Sequence, residues 1–377
     1  MNARRAGLIA VVSLGLYGLY LIGMAHTATS PAPDFPNYYY SAIAEAEGES
    51  IYSDFTDRLE ADRSASIPNI NYLADPPPVV LLFYPVRWIS YELAFWILIA
   101  VSGIAMTATV WATGVELGMG RPWVISLAAA SLLTTGFRFM TLRNHFEAVL
   151  ALLAALGWVR LRRRGSPGAY WGIAAGLKLF PALWTVGLVR NRRAVVDGLA
   201  AFVAIVGLTA VMIGPQDFSV YVREVIPRAS QWFQATGNYS LMSVGTLIGG
   251  TPLGWGLTGV GFLGFGWTAY RLGNDHDALY VAGVAWSLLL SPLSWLNYLV
   301  IVISPLMVAA RNINWSKRNE LYPAAFMLVG LLAMRPIVSF ESTWINIVLS
   351  RIPTMSLLVL AIWAPGLMVK RAKALGA

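Results

Sequence analysis

The sequence contains no cysteine and few charged residues. The absence of cysteine among 377 residues excludes disulfides, thiolate catalysis and Cys-ligated zinc. Charged residues make up 12% of the chain and hydrophobic residues 57%. An average soluble protein has about 25% charged residues. The low charge content therefore argues against an ordinary soluble globular protein and favours an α-helical membrane protein.

Apolar residues occur in repeated runs near the length of about 20 residues that a helix needs to cross a bilayer. No internal repeat or low-complexity linker divides them, so the pattern predicts one all-α polytopic membrane domain, residues 1–377. The first run resembles a signal peptide, but no small-residue cleavage site follows it, and we interpret it as a retained helix. The ten predicted crossings are 6–26, 92–113, 122–140, 146–160, 194–213, 252–271, 278–292, 295–310, 321–338 and 353–369.

Basic residues are unevenly divided between the two sides that ten crossings create. Of the 27 Lys and Arg residues, 17 fall on the side of the two termini, nine fall on the opposite side, and Lys178 belongs to neither. By the positive-inside rule the side of the termini is cytoplasmic, which predicts a multi-pass plasma-membrane protein. Short arginine runs between apolar segments thus account for the net charge of +8, and nucleic acid is not an expected partner.

The longest segment between predicted crossings, residues 27–91, falls on the extracytoplasmic side and holds nine acidic residues. Tyrosines and small apolar residues near position 40 suggest a short helix on the membrane surface. Acidic runs are most often solvated faces, and we interpret most of these residues in that way. Asp34 differs because it lies a few residues after the first crossing, between Pro33 and Phe35. A carboxylate held there is a candidate general base for an acceptor hydroxyl.

Lys178 lies inside an apolar segment, residues 169–189, whose two flanks are both rich in arginine; the predicted hairpin covers residues 165–190. A single crossing would place one basic flank outside, so we predict a re-entrant hairpin broken at Pro181, which lacks a backbone donor. A lysine at membrane depth costs roughly 3 kcal/mol and needs an anionic partner. The hairpin itself contains no carboxylate. Two interpretations of Lys178 stay open, a structural ion pair and a contact with a ligand phosphate.

Other polar groups are less distinctive. The outer end of the fourth predicted crossing carries Arg143, Asn144 and His145. These residues supply hydrogen-bond donors near the level of Lys178. They are also compatible with an ordinary interfacial cap. Among the histidines, His276 has no metal-ligand spacing to other donors, and the same holds for His26. The sequence therefore offers no obvious metal site.

Five short segments form an ordered set. They are Asp34-Phe35 followed by Tyr38-Tyr39-Tyr40, Ala42, Gly48 and Tyr52; the proline-bounded stretch Pro77 to Pro85; GIAAGLKLFP from Gly172 to Pro181; Asn238-Tyr239-Ser240-Leu241; and LSPLSW from Leu290 to Trp295. Together they resemble glycosyltransferase family 87 of the GT-C superfold, which includes mycobacterial phosphatidylinositol mannoside mannosyltransferases. Two segments depart from the family pattern: Arg143 to Phe146 replaces the usual Gly-Gln-x-Asn, and Asn297-Tyr298 replaces a histidine pair.

The resemblance implies a GT-C fold and inverting transfer of a sugar, with mannose expected. The donor would be a polyprenyl-phosphate sugar, and the acceptor a hydroxyl of a lipid or glycan on the extracytoplasmic face. In that scheme Asp34 is the catalytic base. Polyprenyl phosphate leaves as a stabilised anion, so no general acid, metal or cofactor is needed, and Lys178 and Arg143 would stabilise the developing charge. The other expected substrate-binding residues are Asn144, His145, Tyr38, Asn238, Ser240, Trp295 and Asn297.

Two other classes of membrane protein stay open. A transporter or lipid flippase would use similar helices and a buried lysine. Transporters commonly contain broken helices in corresponding positions of two related halves, whereas the break at Pro181 has no evident partner in the second half. An O-antigen polymerase or ligase would be expected to concentrate arginines and histidines in a late outer loop, whereas the large outer loop here comes first and is acidic.

Overall fold

The computed structural model describes residues 3–27, 34–63, 73–186, 191–235, 237–333 and 349–374. Within these ranges the regular secondary structure is helical, without strands, which confirms the all-α prediction. The α-helices, numbered along the chain, are α1 (Ala3–Thr27), α2 (Phe35–Ala46), α3 (Thr56–Arg63), α4 (Val80–Phe83), α5 (Tyr91–Glu116), α6 (Arg121–Ser131), α7 (Thr135–Arg143), α8 (Glu147–Arg162), α9 (Gly168–Leu177), α10 (Ala182–Val186), α11 (Arg192–Ile213), α12 (Gln216–Val220), α13 (Ile226–Arg228), α14 (Leu241–Leu272), α15 (His276–Leu290), α16 (Ile303–Ala310), α17 (Arg318–Leu328), α18 (Ile352–Leu358) and α19 (Ala364–Ala374). Short 3-10 or π turns extend or link several of them: Pro77–Val79, Tyr84–Trp88, Tyr221–Val225, Ala229–Trp232, Leu296–Val302, Val329–Ala333 and Val359–Trp363.

Four helical segments among the described residues are long and apolar enough to cross a membrane. They are Ala3–Met24, Tyr91–Glu116, Arg192–Ile213 and Ile352–Ala372. The pair α6 and α7, bent by 52°, makes a fifth if it counts as one span. Helix occurs at all ten predicted crossings, but α8 and α15 have 16 and 15 residues, fewer than the roughly 20 of a full crossing. Ten crossings therefore stay a prediction, and residues 334–338 of the crossing 321–338 lie outside the described residues.

The two ends of α8 differ in chemistry. The helix begins at Glu147 and ends in an arginine run at Arg162, about 24 Å away at 1.5 Å per residue. There, Arg163 pairs with Glu116 at 2.9 Å, and Arg162 pairs with Asp277 at 3.2 Å. We call this end of the helix bundle the basic end and the opposite one the Glu147 end. The charged side chains of the candidate site described below gather at the Glu147 end.

Glycines allow α9 and α11 to pack closely and in parallel. A Cβ atom at Gly168 would lie 2.2 Å from the carbonyl oxygen of Ala194, and one at Gly172 would lie 2.1 Å from that of Gly198. Because these contacts advance along both helices in the same direction, α9 and α11 start at the same end. The arginines before α9 and those at the start of α11 therefore lie together, as the hairpin prediction requires. Arg190 in the second basic flank lies outside the described residues.

The segment predicted to form the hairpin contains the break that its proline suggests. α9 ends at Leu177, Lys178 is extended with φ −145° and ψ 138°, and α10 begins at Ala182, directly after Pro181. The interruption brings the Lys178 side chain to the Glu147 end of the bundle, where it contacts Glu147. The re-entrant hairpin and its depth in a membrane stay predictions.

The segment predicted to be extracytoplasmic, residues 27–91, contains the helix predicted near position 40. This helix, α2, begins directly after Asp34, and nine of its twelve residues are buried. The ring of Phe35 is fully buried and packs edge-on against Tyr91 and Phe95 of α5, with centroid distances of 4.8 and 5.6 Å. Aromatic packing therefore holds Asp34 against the bundle. The position of α2 at a membrane surface stays a prediction.

Candidate active site

A tight turn between α7 and α8 presents three alternate side chains to one polar cluster. α7 ends at Arg143, α8 begins at Glu147, and the chain reverses through Asn144 at φ 56° and ψ 54°. Asparagine tolerates this left-handed conformation better than most residues. Its amide donates to the carbonyl of Phe95 at 3.0 Å, which fixes the turn on α5. The turn thereby directs Arg143, His145 and Glu147 to the same place. A substrate contact by the buried Asn144 stays a prediction.

The carboxylate of Asp34 accepts hydrogen bonds from two basic side chains of this turn. Arg143 donates through Nε to Oδ2 and through Nη2 to Oδ1, the second at 3.1 Å, and His145 Nε2 lies 2.8 Å from Oδ2. Among the described residues, Oδ1 accepts from Arg143 alone. Because each carboxylate oxygen can accept two hydrogen bonds, Oδ1 has the capacity to accept one more.

The imidazole of His145 lies between two carboxylates. Nε2 faces Asp34, while Nδ1 lies 3.2 Å from Glu147 Oε1 and 2.9 Å from Tyr38 Oη. Burial would lower the pKa of His145, but Glu147 and Asp34 outweigh it and raise that pKa to about 9. Burial would likewise raise the pKa of Asp34, yet His145 and Arg143 hold that pKa well below its usual range. At neutral pH, Asp34 is therefore ionised and His145 carries a positive charge.

Lys178 has carboxylate partners from two other segments of the chain. Its Nζ donates to Glu147 Oε1 at 2.8 Å and lies 3.2 Å from Asp75 Oδ1. It also donates to Tyr298 Oη at 2.9 Å. The lysine side chain is 4% exposed and that of Glu147 is fully buried. The structural ion pair, one of the two interpretations of Lys178, is therefore present, while a contact with a ligand phosphate stays a prediction.

Tyr38 and Asp75 close the network. Tyr38 Oη donates to Asp75 Oδ2 at 2.8 Å, and burial together with the Asp75 charge raises the pKa of Tyr38, which keeps the phenol neutral. Asp75 in turn meets Lys178. Besides Tyr298, the network contains seven residues with three carboxylates, three basic groups and one phenol. We call them the charge cluster, and they are Asp34, Tyr38, Asp75, Arg143, His145, Glu147 and Lys178.

Comparison with known proteins identifies the family. The model of glycosyltransferase family 87 matches residues 72–339, which is most of the chain. The chain belongs to glycosyltransferase family 87. A search of curated proteins found no match. The matched range includes the cluster residues from Asp75 to Lys178, whereas Asp34 precedes it. The family establishes a glycosyltransferase with membrane-helix character that uses a sugar donor and an acceptor, in place of a transporter or flippase.

Sequence reasoning missed three groups in or next to the charge cluster of this glycosyltransferase. Asp75 was interpreted with its neighbours as part of a solvated face, but its side chain is 14% exposed and contacts Lys178. Glu147 was overlooked, although an acid at the start of an apolar run needs a partner for the same reason as Lys178 does. Tyr298 was noticed as a departure from the family pattern, and the structure shows that it contacts Lys178.

Asn238 and Ser240 form a structural contact with the LSPLSW segment. Asn238 Oδ1 accepts from the backbone nitrogens of Ser240 and Ser294, at 3.2 and 2.9 Å, and its Nδ2 donates to the carbonyl of Pro292 at 2.9 Å. Ser240 Oγ donates to the same carbonyl at 3.0 Å and caps α14. These bonds hold the turn before the 3-10 helix that carries Tyr298. Substrate binding by Asn238 and Ser240 stays a prediction.

The segment that follows leads towards the charge cluster. Trp295 is partly exposed and stacks edge-on with Trp232 at 6.2 Å, whereas Asn297 is 1% exposed. The next residue, Tyr298, contacts Lys178. Trp295 and Asn297 therefore lie within three residues of a cluster contact, and their roles in substrate binding stay predictions.

The described ranges contain no group of three or more His, Asp or Glu side chains arranged to hold a metal ion. Asp277 belongs to the sequence Asp275-His276-Asp277, which weakly resembles an acidic metal-binding pair. It accepts hydrogen bonds from Trp158 Nε1 at 2.9 Å and from Arg162 at 3.2 Å. Its carboxylate therefore joins helices at the basic end of this glycosyltransferase.

Proposed function

We propose that this glycosyltransferase transfers a sugar, with mannose expected, from a polyprenyl-phosphate donor to a hydroxyl of a lipid or glycan acceptor, with inversion at the anomeric carbon. The family match supports the reaction class. The resemblance to phosphatidylinositol mannoside mannosyltransferases supports the donor and the sugar. The observation that carries the assignment of the base is the Asp34 carboxylate. It is ionised, can accept one more hydrogen bond at Oδ1 and lies beside the partly exposed Arg143.

The chemical step needs one proton acceptor and one stabiliser of negative charge. The acceptor oxygen attacks the anomeric carbon from the face opposite the phosphate, while the bond from that carbon to the phosphate oxygen breaks and its electron pair stays on the oxygen. Asp34 receives the hydroxyl proton as the new bond forms. The phosphate leaves without protonation, so a planar guanidinium that donates two parallel hydrogen bonds is well suited to stabilise it.

Arg143 is the member of the charge cluster best placed to contact the phosphate. Its side chain is 28% exposed, against 12% for His145 and 4% for Lys178. The three N–H groups of Lys178 already face Glu147, Asp75 and Tyr298, so Lys178 would have to leave one of them to bind a ligand directly. We therefore propose that Lys178 positions the two carboxylates, and through Glu147 also His145, while Arg143 meets the donor.

The orientation of the bundle supports an extracytoplasmic site. Glu147 and the rest of the cluster lie at one end of α8, and the arginine run that ends at Arg162 lies about 24 Å away at the other. By the positive-inside rule the basic end faces the cytoplasm, so the cluster would face the outside of the plasma membrane. A lipid-linked sugar phosphate in the outer leaflet would then reach Asp34 without crossing the membrane.

Asp34→Asn tests the base directly. It keeps shape and polarity but removes the proton acceptor, so sugar transfer should fall by about 10² to 10⁴. The measurement is transfer of radiolabelled sugar from a panel of polyprenyl-phosphate donors to membrane lipids, at matched expression. Glu47→Gln and Asp57→Asn change exposed acids of the same outer segment and should leave transfer nearly unchanged. Near-normal transfer by Asp34→Asn would remove this residue from catalysis.

A further inference from the structure

We propose that Arg143 is shared between the base and the donor: when a lipid phosphate binds, Arg143 leaves Asp34 for the phosphate, and the base becomes competent only once the donor is in place. The proposal rests on the function proposed above. It assigns Arg143 two alternative anionic partners and makes Asp34 a competitor of the donor.

The first observation is how fully Asp34 is engaged. Three donor atoms of two basic side chains, Arg143 Nε and Nη2 and His145 Nε2, point at its two oxygens. A carboxylate that accepts several hydrogen bonds from cations is a weak proton acceptor, and the pKa of Asp34 lies well below its usual range. In this arrangement Asp34 is ionised but poorly suited to remove a hydroxyl proton. Loss of the Arg143 contacts would make it a stronger base.

The second observation is that Arg143 is held less firmly than the other two basic groups. His145 lies between Asp34 and Glu147, and Lys178 lies between Glu147 and Asp75, so each has two carboxylate partners. Among the described residues, Arg143 pairs with one carboxylate. Its side chain is also the most exposed of the three. Arg143 is therefore the basic group that a phosphate can recruit with the smallest disturbance to the cluster.

The third observation is that Asp34 would remain oriented after Arg143 departs. His145 Nε2 contacts Oδ2 alone, and Nδ1 of the same ring is anchored by Glu147 and Tyr38. Departure of Arg143 thus leaves Oδ1 open and Oδ2 fixed. An incoming donor phosphodiester carries one negative charge, and the leaving monoester carries more, about −1.5 to −2 near neutral pH. The contact between Arg143 and the phosphate therefore strengthens as the sugar bond breaks, while the acceptor proton passes to Asp34.

Competition for Arg143 has a consequence that can be measured without turnover. If Asp34 holds Arg143 away from the phosphate, Asp34→Asn should tighten phosphate binding. Hydrogen bonds to charged groups are strong enough that losing this internal competitor should increase affinity about tenfold. A fixed Arg143–Asp34 pair would show no such gain.

The probe is geranyl phosphate, a short polyprenyl monophosphate, titrated calorimetrically into the detergent-purified full-length protein, with geraniol as the reference that lacks the phosphate. We expect Asp34→Asn to bind geranyl phosphate about tenfold more tightly and Arg143→Met to bind it at least tenfold more weakly. Geraniol should bind all variants alike. Unchanged or weaker binding by Asp34→Asn, or unchanged binding by Arg143→Met, would overturn the proposal.

Two further variants keep the test specific. Glu45→Gln is the matched control, because Glu45 lies on α2, the helix that follows Asp34, and is held by one partly buried arginine, Arg87, at 3.0 Å. The affinity of Glu45→Gln for geranyl phosphate should equal that of the unmodified protein. Tighter binding by Glu45→Gln would show that loss of any carboxylate has the same effect. The double variant Asp34→Asn/Arg143→Met keeps the charge balance of the cluster, which protects folding. If the gain in affinity depends on Arg143, the double variant binds geranyl phosphate no more tightly than Arg143→Met. Tighter binding by the double variant would show that the gain has another cause and would overturn the proposal.

The two proposals fail in different ways. Full transfer activity in Asp34→Asn would reject Asp34 as the base, whatever the binding data show. Lost transfer together with unchanged binding of geranyl phosphate would keep the base and reject the sharing of Arg143.

Discussion

Replacement of Lys178 by methionine tests the charge cluster as a determinant of stability. Lys178 Nζ contacts Glu147 at 2.8 Å and Asp75 at 3.2 Å, and the Glu147 side chain is fully buried. Methionine has a similar length but leaves both carboxylates without their shared cation. Removal of one partner from a buried ion pair costs about 3–5 kcal/mol. At roughly 2 °C per kcal/mol for a chain of this size, Tm should fall by about 6–10 °C.

A second substitution separates the effect of charge from that of packing. With His145 protonated, the cluster holds three negative and three positive charges, and Lys178→Met leaves it with one excess negative charge. Adding Glu147→Gln restores balance, so the double variant should recover much of the lost stability, because replacing both partners of a buried pair is far less costly than replacing one. Arg163→Met is the control. Its side chain is 61% exposed, so loss of its pair with Glu116 should cost less than about 1 kcal/mol.

Thermal unfolding of the purified proteins in one detergent at pH 7 provides the measurement, and the 15 tryptophans supply an intrinsic fluorescence signal. The reasoning would be refuted if Lys178→Met unfolded within 1 to 2 °C of the unmodified protein, a shift of no more than about 1 kcal/mol. It would also be refuted if the double variant were less stable than Lys178→Met alone, because the excess charge would then not be the cause.

Three further predictions concern pH, packing and topology. The pKa of His145 is raised to about 9 in the fold, against about 6.5 in an unfolded chain, so its stabilisation is complete below about pH 6.5 and is lost as pH rises through about 9. The difference in Tm between the unmodified protein and His145→Gln should accordingly shrink over that interval, and a constant difference would contradict it. Gly172→Ala places a Cβ against the backbone of α11 and should lower Tm. Gly207→Ala is the control, because its Cβ would meet nothing within 4 Å and Tm should not change. Equal changes in Tm would argue against the close packing of α9 and α11. Because the chain has no cysteine, a single introduced cysteine can report the topology. Glu60→Cys should react with an impermeant maleimide in intact cells, and Ser166→Cys only after permeabilisation. The reverse labelling would show that the predicted topology is inverted.

The amino-acid sequence was sufficient for properties that depend on composition and local pattern. Apolar runs of bilayer length predicted the all-α membrane protein, and the arginine runs predicted which ends of the helices lie together. Pro181 predicted the break that the structure shows between Leu177 and Ala182. The short motifs led to glycosyltransferase family 87, which the family match confirms. Each signal is carried by neighbouring residues, because helix length, backbone donors and loop charge are set locally.

The partners of the charged groups depended on the tertiary structure. Arg143 and Asp34 are 109 residues apart in the chain, Lys178 and Glu147 are 31 apart, and Lys178 and Tyr298 are 120 apart. No spacing rule links such positions, because their contact depends on how whole helices pack. The sequence therefore required an anion for Lys178 on energetic grounds but did not show that Glu147 and Asp75 supply it. Helix packing also placed Arg143 against Asp34, and the proposed exchange between base and donor follows from that contact.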